Sequence, residues 1–279
     1  MSRVKWIAIL GTLIVGAAAI WIVQKQPSHD RPWKAEYRVL PEAFVAGDKL
    51  TIRNVRKFNY LGDGSPFETI YETRDFDLSK LDSAWFGVSH FTDYGLAHTF
   101  LSFGFQNGEY VAISIEARQE KGEAYHPVTG LTRNYELMYV VADERDVIGL
   151  RSHIRGENVF LYRLKNDRAR QRSLLLELVD RINQVSAKPE FYNTLISNCT
   201  TSLLRHAKRL SWADKYLNYR ILLPGYSDEL LYARGLVDNS IPFPELRLRA
   251  HIKPEGYSMN VKGFSEAIRG QEWQSPDGY

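Results

Sequence analysis

The stretch LAHTFLSFGFQNGEYVAISIEAR, residues 96–118, decides how this chain is read. Two runs of alternating side chains flank Gln106-Asn107-Gly108, so the stretch reads as a β-hairpin. Its register matters, because a slip of one residue turns every side chain to the opposite face. A two-residue Asn-Gly turn would set Thr99 opposite Glu116 and His98 opposite Ala117. It would also mix apolar and polar residues on both faces. A three-residue loop with Gly108 in the left-handed position sets Phe105 opposite Glu109 and His98 opposite Glu116. One face then carries Leu101, Phe103, Phe105, Val111, Ile113 and Ile115. The other carries His98, Phe100, Ser102, Gly104, Ala112, Ser114 and Glu116. Hydrophobic sorting favours this second register. It places a carboxylate across from an imidazole, with Cβ atoms about 5 Å apart. There the carboxylate would fix the ring tautomer and raise its basicity. The competing reading of that face is a polar, solvent-facing side of a hairpin.

Around the hairpin the pattern is strands first, helices later. Strand signals cover Leu50–Val55, Ala84–His90, Leu96–Phe105, Glu109–Arg118, Tyr135–Ala142 and Asn158–Leu164. Asp167 to Val185 is helical, with Leu175, Leu178, Val179 and Ile182 on one stripe. A second helix starts near Cys199, with Leu203, Leu204, Ala207 and Leu210 on its apolar side. A third starts at Ser227, with Asp228 and Glu229 in its first turn. This order predicts an α+β domain.

The 279 residues hold 36 Lys and Arg against 33 Asp and Glu, and one Cys. A single Cys excludes an intramolecular disulfide and any Cys-rich metal or iron–sulfur site. Arg3, Lys5 and Lys25 lie in residues 1–27, which hold no acid, so residues 28–279 carry 33 charges of each sign. That neutrality argues against nucleic acid as a partner. No His spacing suits a metal, and no cofactor motif is present.

Trp6 to Val23 is an unbroken uncharged run, WIAILGTLIVGAAAIWIV, preceded by Arg3 and Lys5. It reads as one transmembrane helix, an uncleaved N-terminal anchor in residues 1–27. A signal sequence cut near Ala17-Ala18-Ala19 is the alternative. Either would leave the domain outside the cytoplasm. Residues 28–250 form the expected catalytic domain and residues 251–279 a C-terminal tail.

Cys199 sits in Ile196-Ser197-Asn198-Cys199-Thr200-Thr201. A lone Cys is most often a small buried hydrophobe. Its polar neighbours and its place at a helix start favour a lowered thiol pKa instead. Backbone N–H groups there could hold an oxyanion. His206 lies about 10 Å further along the helix, too far to act as its base. A basic helix surface with Arg205, Lys208 and Arg209 is its expected role. His90 is the weaker competitor to His98, with no acid opposite it. Arg118, Tyr135 and Arg145 lie close to these motifs, but ordinary surface pairing explains charged residues as readily as binding does.

A His strand, an acid on the next strand and a distant Asn-Cys opening a helix resemble the circularly permuted papain-like (NlpC-type) hydrolases and acyltransferases. A closer resemblance is to the Lnb N-terminal periplasmic domain family. The stretches that carry it are SHDRPWKAEYRVLP (28–41), LTIRNVRKFNY (50–60), YETRDFDLSKL (71–81), AHTFLSFGF (97–105), ISIEARQEKGEAY (113–125), YELMYVVADERD (135–146) and NCTTSLLRH (198–206). The resemblance implies a permuted papain-like fold with an antiparallel sheet. It also implies an activity on bacterial lipoproteins at the outer face of the cytoplasmic membrane. An acyl chain would move from the diacylglyceryl group to the α-amino group of the lipoprotein's first Cys, giving a lyso-form lipoprotein. In that reading Cys199 is the nucleophile, His98 the base and Glu116 its orienting acid, with Asn198 and Thr200 in support near the oxyanion. The partners would be a lipoprotein or other lipid-bearing substrate and the membrane. A cysteine hydrolase or amidase acting on cell-wall peptide or lipid esters, and a non-catalytic envelope-binding domain, are the rival classes.

Overall fold

The computed structural model describes residues 3–92, 95–204, 211–213, 218–256 and 258–270. Among them an eight-stranded sheet forms the centre. Its strands are β1 (Glu42–Ala46), β2 (Lys49–Tyr60), β3 (Pro66–Asp77), β4 (Leu81–His90), β5 (Ala97–Phe105), β6 (Tyr110–Arg118), β7 (Glu136–Ala142) and β8 (Asn158–Arg163). The spatial order is β1-β2-β7-β6-β5-β4-β8, with β3 paired to β2. The α+β class stands, but the sheet is mixed rather than wholly antiparallel. Strand β2 meets β7 in parallel at Arg56↔Ala142, while the other pairings are antiparallel. Strand β2 also bends: its register to β3 shifts between Ile52 and Val55, with Asn54 at φ 60°.

The hairpin adopts the register of the three-residue loop. Leu101 faces Ile113 and Phe103 faces Val111. The Phe105 N–H donates to the Glu109 carbonyl at 2.9 Å, and Gly108 takes φ +77°, a conformation that only glycine adopts at no steric cost. The apolar face of the hairpin packs into the main core beneath helix α2 (Arg168–Ala187), which buries Leu175, Leu178, Val179, Ile182 and Val185. Asp167 caps α2 through the Arg170 N–H.

The opposite face is not a solvated one. Phe100, Ala112, Met138, Val140 and Trp85 lie in a second core. It is covered by Val147 and Ile148 of a π-helix (Arg145–Ile154) and by Phe264 and Ile268 near the C-terminus. Buried Asp146 anchors the π-helix. It accepts from Arg56 Nη2 at 2.6 Å, the Phe58 N–H at 2.9 Å and the Tyr60 hydroxyl at 2.6 Å. Both faces of the sheet are therefore covered.

Helix α1 (Arg3–Gln24) occupies the N-terminal apolar run. Among the described residues no helix is long and apolar enough to cross a membrane, which corrects the expected transmembrane helix. A bilayer core demands roughly 20 consecutive apolar residues in one helix.

The Cys-bearing helix α3 is described over Cys199–Leu204. The expected continuation through Arg205, His206, Ala207, Lys208, Arg209 and Leu210 lies outside the described residues. The third helix spans Ser227–Ala233, and Ser227 is its first turn rather than its cap, donating its hydroxyl to the Pro224 carbonyl. Asp228 beside it is buried and accepts from the Tyr162 hydroxyl.

Candidate active site

The Cα pairing of β5 with β6 ends at Phe100↔Ser114. Strand β5 goes on along β4 to Ala97, and β6 along β7 to Arg118. The two strands therefore part at the level of His98, Thr99 and Glu116, and the end of the sheet opens between them. Alternation keeps His98, Ser114 and Glu116 on one face. The His98 Nε2 lies 2.6 Å from Ser114 Oγ and 3.2 Å from Glu116 Oε1. Ser114 donates to Glu116 Oε1 at 2.6 Å, so its oxygen accepts from the imidazole N–H. The same carboxylate oxygen accepts from Arg151 Nη2 of the π-helix at 3.0 Å.

Helix α3 brings Cys199 to this opening. Asn198 is its cap: the Thr201 N–H donates to Asn198 Oδ1 at 2.8 Å, and Asn198 Nδ2 donates to the Thr194 carbonyl at 2.5 Å. The Thr200 hydroxyl meets the Thr99 hydroxyl at 3.0 Å and ties the helix to β5. The expected support residues Asn198 and Thr200 thus hold the helix in place. Cys199 is buried, its sulfur 3.9 Å from the Thr200 hydroxyl, and His98 and Thr99 are near enough to act on its thiol.

The electrostatics follow from this chain of contacts. Burial alone would push the Glu116 carboxyl up, but the charges of His98 and Arg151 outweigh it and hold the group well below the usual carboxylate range. Burial disfavours the His98 imidazolium, yet the Glu116 charge prevails and lifts the ring to about 9. Burial raises the Cys199 thiol, while the His98 charge and hydrogen bond, followed by the Thr99 donors, bring it down to about 7. Between those values Cys199 is a thiolate beside an imidazolium, the reactive form of a nucleophilic cysteine.

His98, Glu116, Arg151 and Cys199 share one cavity of about 340 Å³. Its wall is largely aromatic and aliphatic, with Tyr37, Phe91, Leu96, Tyr125, Tyr192 and Leu222. A family model, the Lnb N-terminal periplasmic domain, matches residues 67–225 of the chain. The chain belongs to that family. The matched segment of this Lnb-type domain contains His98, Glu116, Arg151 and Cys199, and membership supports a periplasmic location. No curated protein and no solved structure matches the chain. Neither comparison confirms the permuted papain-like reading.

Elsewhere in the Lnb-type domain His90 serves the fold. His90 faces Arg247 at 3.2 Å and packs edge-on to Phe160, and burial together with the Arg247 charge pushes its ring down to about 4. Arg118 donates to the Tyr37 and Arg38 carbonyls at 2.7 and 2.9 Å, fixing the turn that carries Tyr37 into the cavity wall. Tyr135 donates to the Ala124 carbonyl, and Arg145 to those of Met259 and Val261. Sequence reasoning missed Ser114, Thr99 and Arg151 as site residues. Ser114 had a signal, since it lies two residues before Glu116 on the same strand face. Arg151 had none, because only the π-helix brings it to Glu116.

Proposed function

We propose that this Lnb-like domain is a Cys–His acyltransferase that moves an acyl chain within bacterial lipoproteins through a thioester on Cys199. The supporting observation is the convergence of Cys199, His98 and Glu116, from three separate stretches of sequence, in one cavity with the thiol poised near neutrality. The Cys199 thiolate attacks the ester carbonyl, forming a C–S bond while the carbonyl π electrons move to oxygen. Collapse of that oxyanion breaks the ester C–O bond, and His98 gives its proton to the departing alkoxide. The α-amino group of the lipoprotein's first Cys then attacks the thioester. His98 takes the amine proton, and the Cys199 thiolate leaves. Glu116 keeps the ring oriented and basic throughout, and Arg151 and Ser114 hold Glu116. The apolar wall formed by Phe91, Leu96 and Leu222 suits an acyl chain better than a charged peptide.

The test is intact-mass analysis of the full chain incubated with a synthetic diacylated lipopeptide, comparing wild type with Cys199→Ala and His98→Ala. An acyl adduct on wild type alone, with the chain arriving on the peptide amine, supports the reading. An adduct that yields only free fatty acid replaces it with a hydrolase. Absence of any adduct, together with a thiol inert to alkylation, replaces it with a binding domain.

A further inference from the structure

An acyl transfer needs a donor for the oxyanion as well as a nucleophile. The polar side chains beside Cys199 have other partners. Asn198 is bonded to Thr194 and Thr201, and the Thr200 hydroxyl meets that of Thr99 at 3.0 Å and the sulfur itself at 3.9 Å. Arg151 is bonded to Glu116 and to the Val147 carbonyl.

Tyr125 and Tyr192 line the same cavity as Cys199, and their hydroxyls lie 3.4 Å apart. They come from distant segments and are held rigidly. The Tyr192 N–H donates to the Tyr135 carbonyl at 2.9 Å. The Tyr125 ring packs against Tyr135 at 5.7 Å and edge-on to Tyr192 at 6.1 Å. Tyr192 is buried, and the charge of the Cys199 sulfur raises its phenol after burial itself does. A phenol that stays protonated keeps its O–H to donate. At 3.4 Å the resting bond between the two hydroxyls is long, so turning one donor away from it costs little.

We propose that the Tyr192 hydroxyl is the oxyanion donor of this site, with Tyr125 as the positioning residue that holds it. The inference rests on the acyl-transfer reading. When the thiolate adds to the ester, the Tyr192 O–H turns from the Tyr125 oxygen to the carbonyl oxygen as charge develops there. No proton is transferred in that contact, and the phenol returns to Tyr125 when the oxyanion collapses.

The test separates addition to a carbonyl from simple displacement. Alkylation of Cys199 by iodoacetamide needs the thiolate but forms no oxyanion. Wild type, Tyr192→Phe and Tyr125→Phe full chains are compared for the rate of acyl-adduct formation from the diacylated lipopeptide and for the alkylation rate across pH. Tyr192→Phe is expected to slow acylation about 100-fold while its alkylation rate and pH midpoint match wild type. Tyr125→Phe is expected to slow acylation less. Acylation at the wild-type rate in Tyr192→Phe overturns the assignment alone, as does a parallel fall in alkylation, which would place the phenol in service of the thiolate or the fold. A wild type that forms no adduct overturns the acyl-transfer reading, and this inference with it.

Discussion

Replacing Glu116 by Gln keeps the shape of the side chain and removes its charge. The lift of His98 from the ordinary 6.5 to about 9 corresponds to about 3 kcal/mol in favour of the imidazolium. Without the carboxylate, burial and the Arg151 charge remain, and both act against a charged ring. His98 then falls to 6.5 or below, and Cys199 loses the cation that holds it near 7. The thiol moves back toward its ordinary 9.0 or beyond. At pH 7 the thiolate fraction drops from about one half to about one per cent, so alkylation should slow roughly 50-fold. The assay is the rate of iodoacetamide labelling of Cys199, followed by intact mass over roughly pH 5.5 to 10. Wild type should show a midpoint near 7, and Glu116→Gln a midpoint about 2 units higher. A variant that keeps the wild-type midpoint, with an unchanged Tm, refutes the view that Glu116 sets the thiolate through His98.

Acyl transfer should follow a bell-shaped pH profile. The rate rises as Cys199 ionises through about 7 and falls as His98 loses its proton through about 9. Initial rates on the lipopeptide check it, and a rate that keeps climbing above the upper value removes His98 as the acid. Asp146→Asn leaves Arg56 buried without its ionised partner. The expected loss of about 3–5 kcal/mol is read from the denaturant midpoint. Gly87→Ala should destabilise by about 1–3 kcal/mol in the same assay, because a Cβ there would sit 2.1 Å from the fully buried Phe100 ring.

The elements that read clearly in the sequence carry their own local signal. Helix α2 follows from the spacing of Leu175, Leu178, Val179 and Ile182, and the β5–β6 register follows from Gly108 and two clean alternations. Strands β1 and β3 escaped because their faces are largely exposed. Ala43 alone is buried in β1, and β3 presents Glu68, Glu72 and Asp75 outward, so neither shows a sorted apolar face. The π-helix escaped because RDVIGLRSHI is only ten residues long and mixes charged with apolar side chains, too short for periodicity to settle. Its clamp, Asp146 on Arg56, joins positions 90 residues apart.

By itself the sequence determined the His98–Glu116 pair and the helical setting of Cys199, since turn chemistry and side-chain alternation act over a few residues. Tertiary structure alone decided that these groups meet. The parting of β5 from β6 opens the end of the sheet to Cys199, and the second core places Arg151 against Glu116. It also encloses a face that alternation alone allowed to be solvated. Those outcomes depend on which distant surfaces bury one another, and no local pattern in the chain encodes that choice.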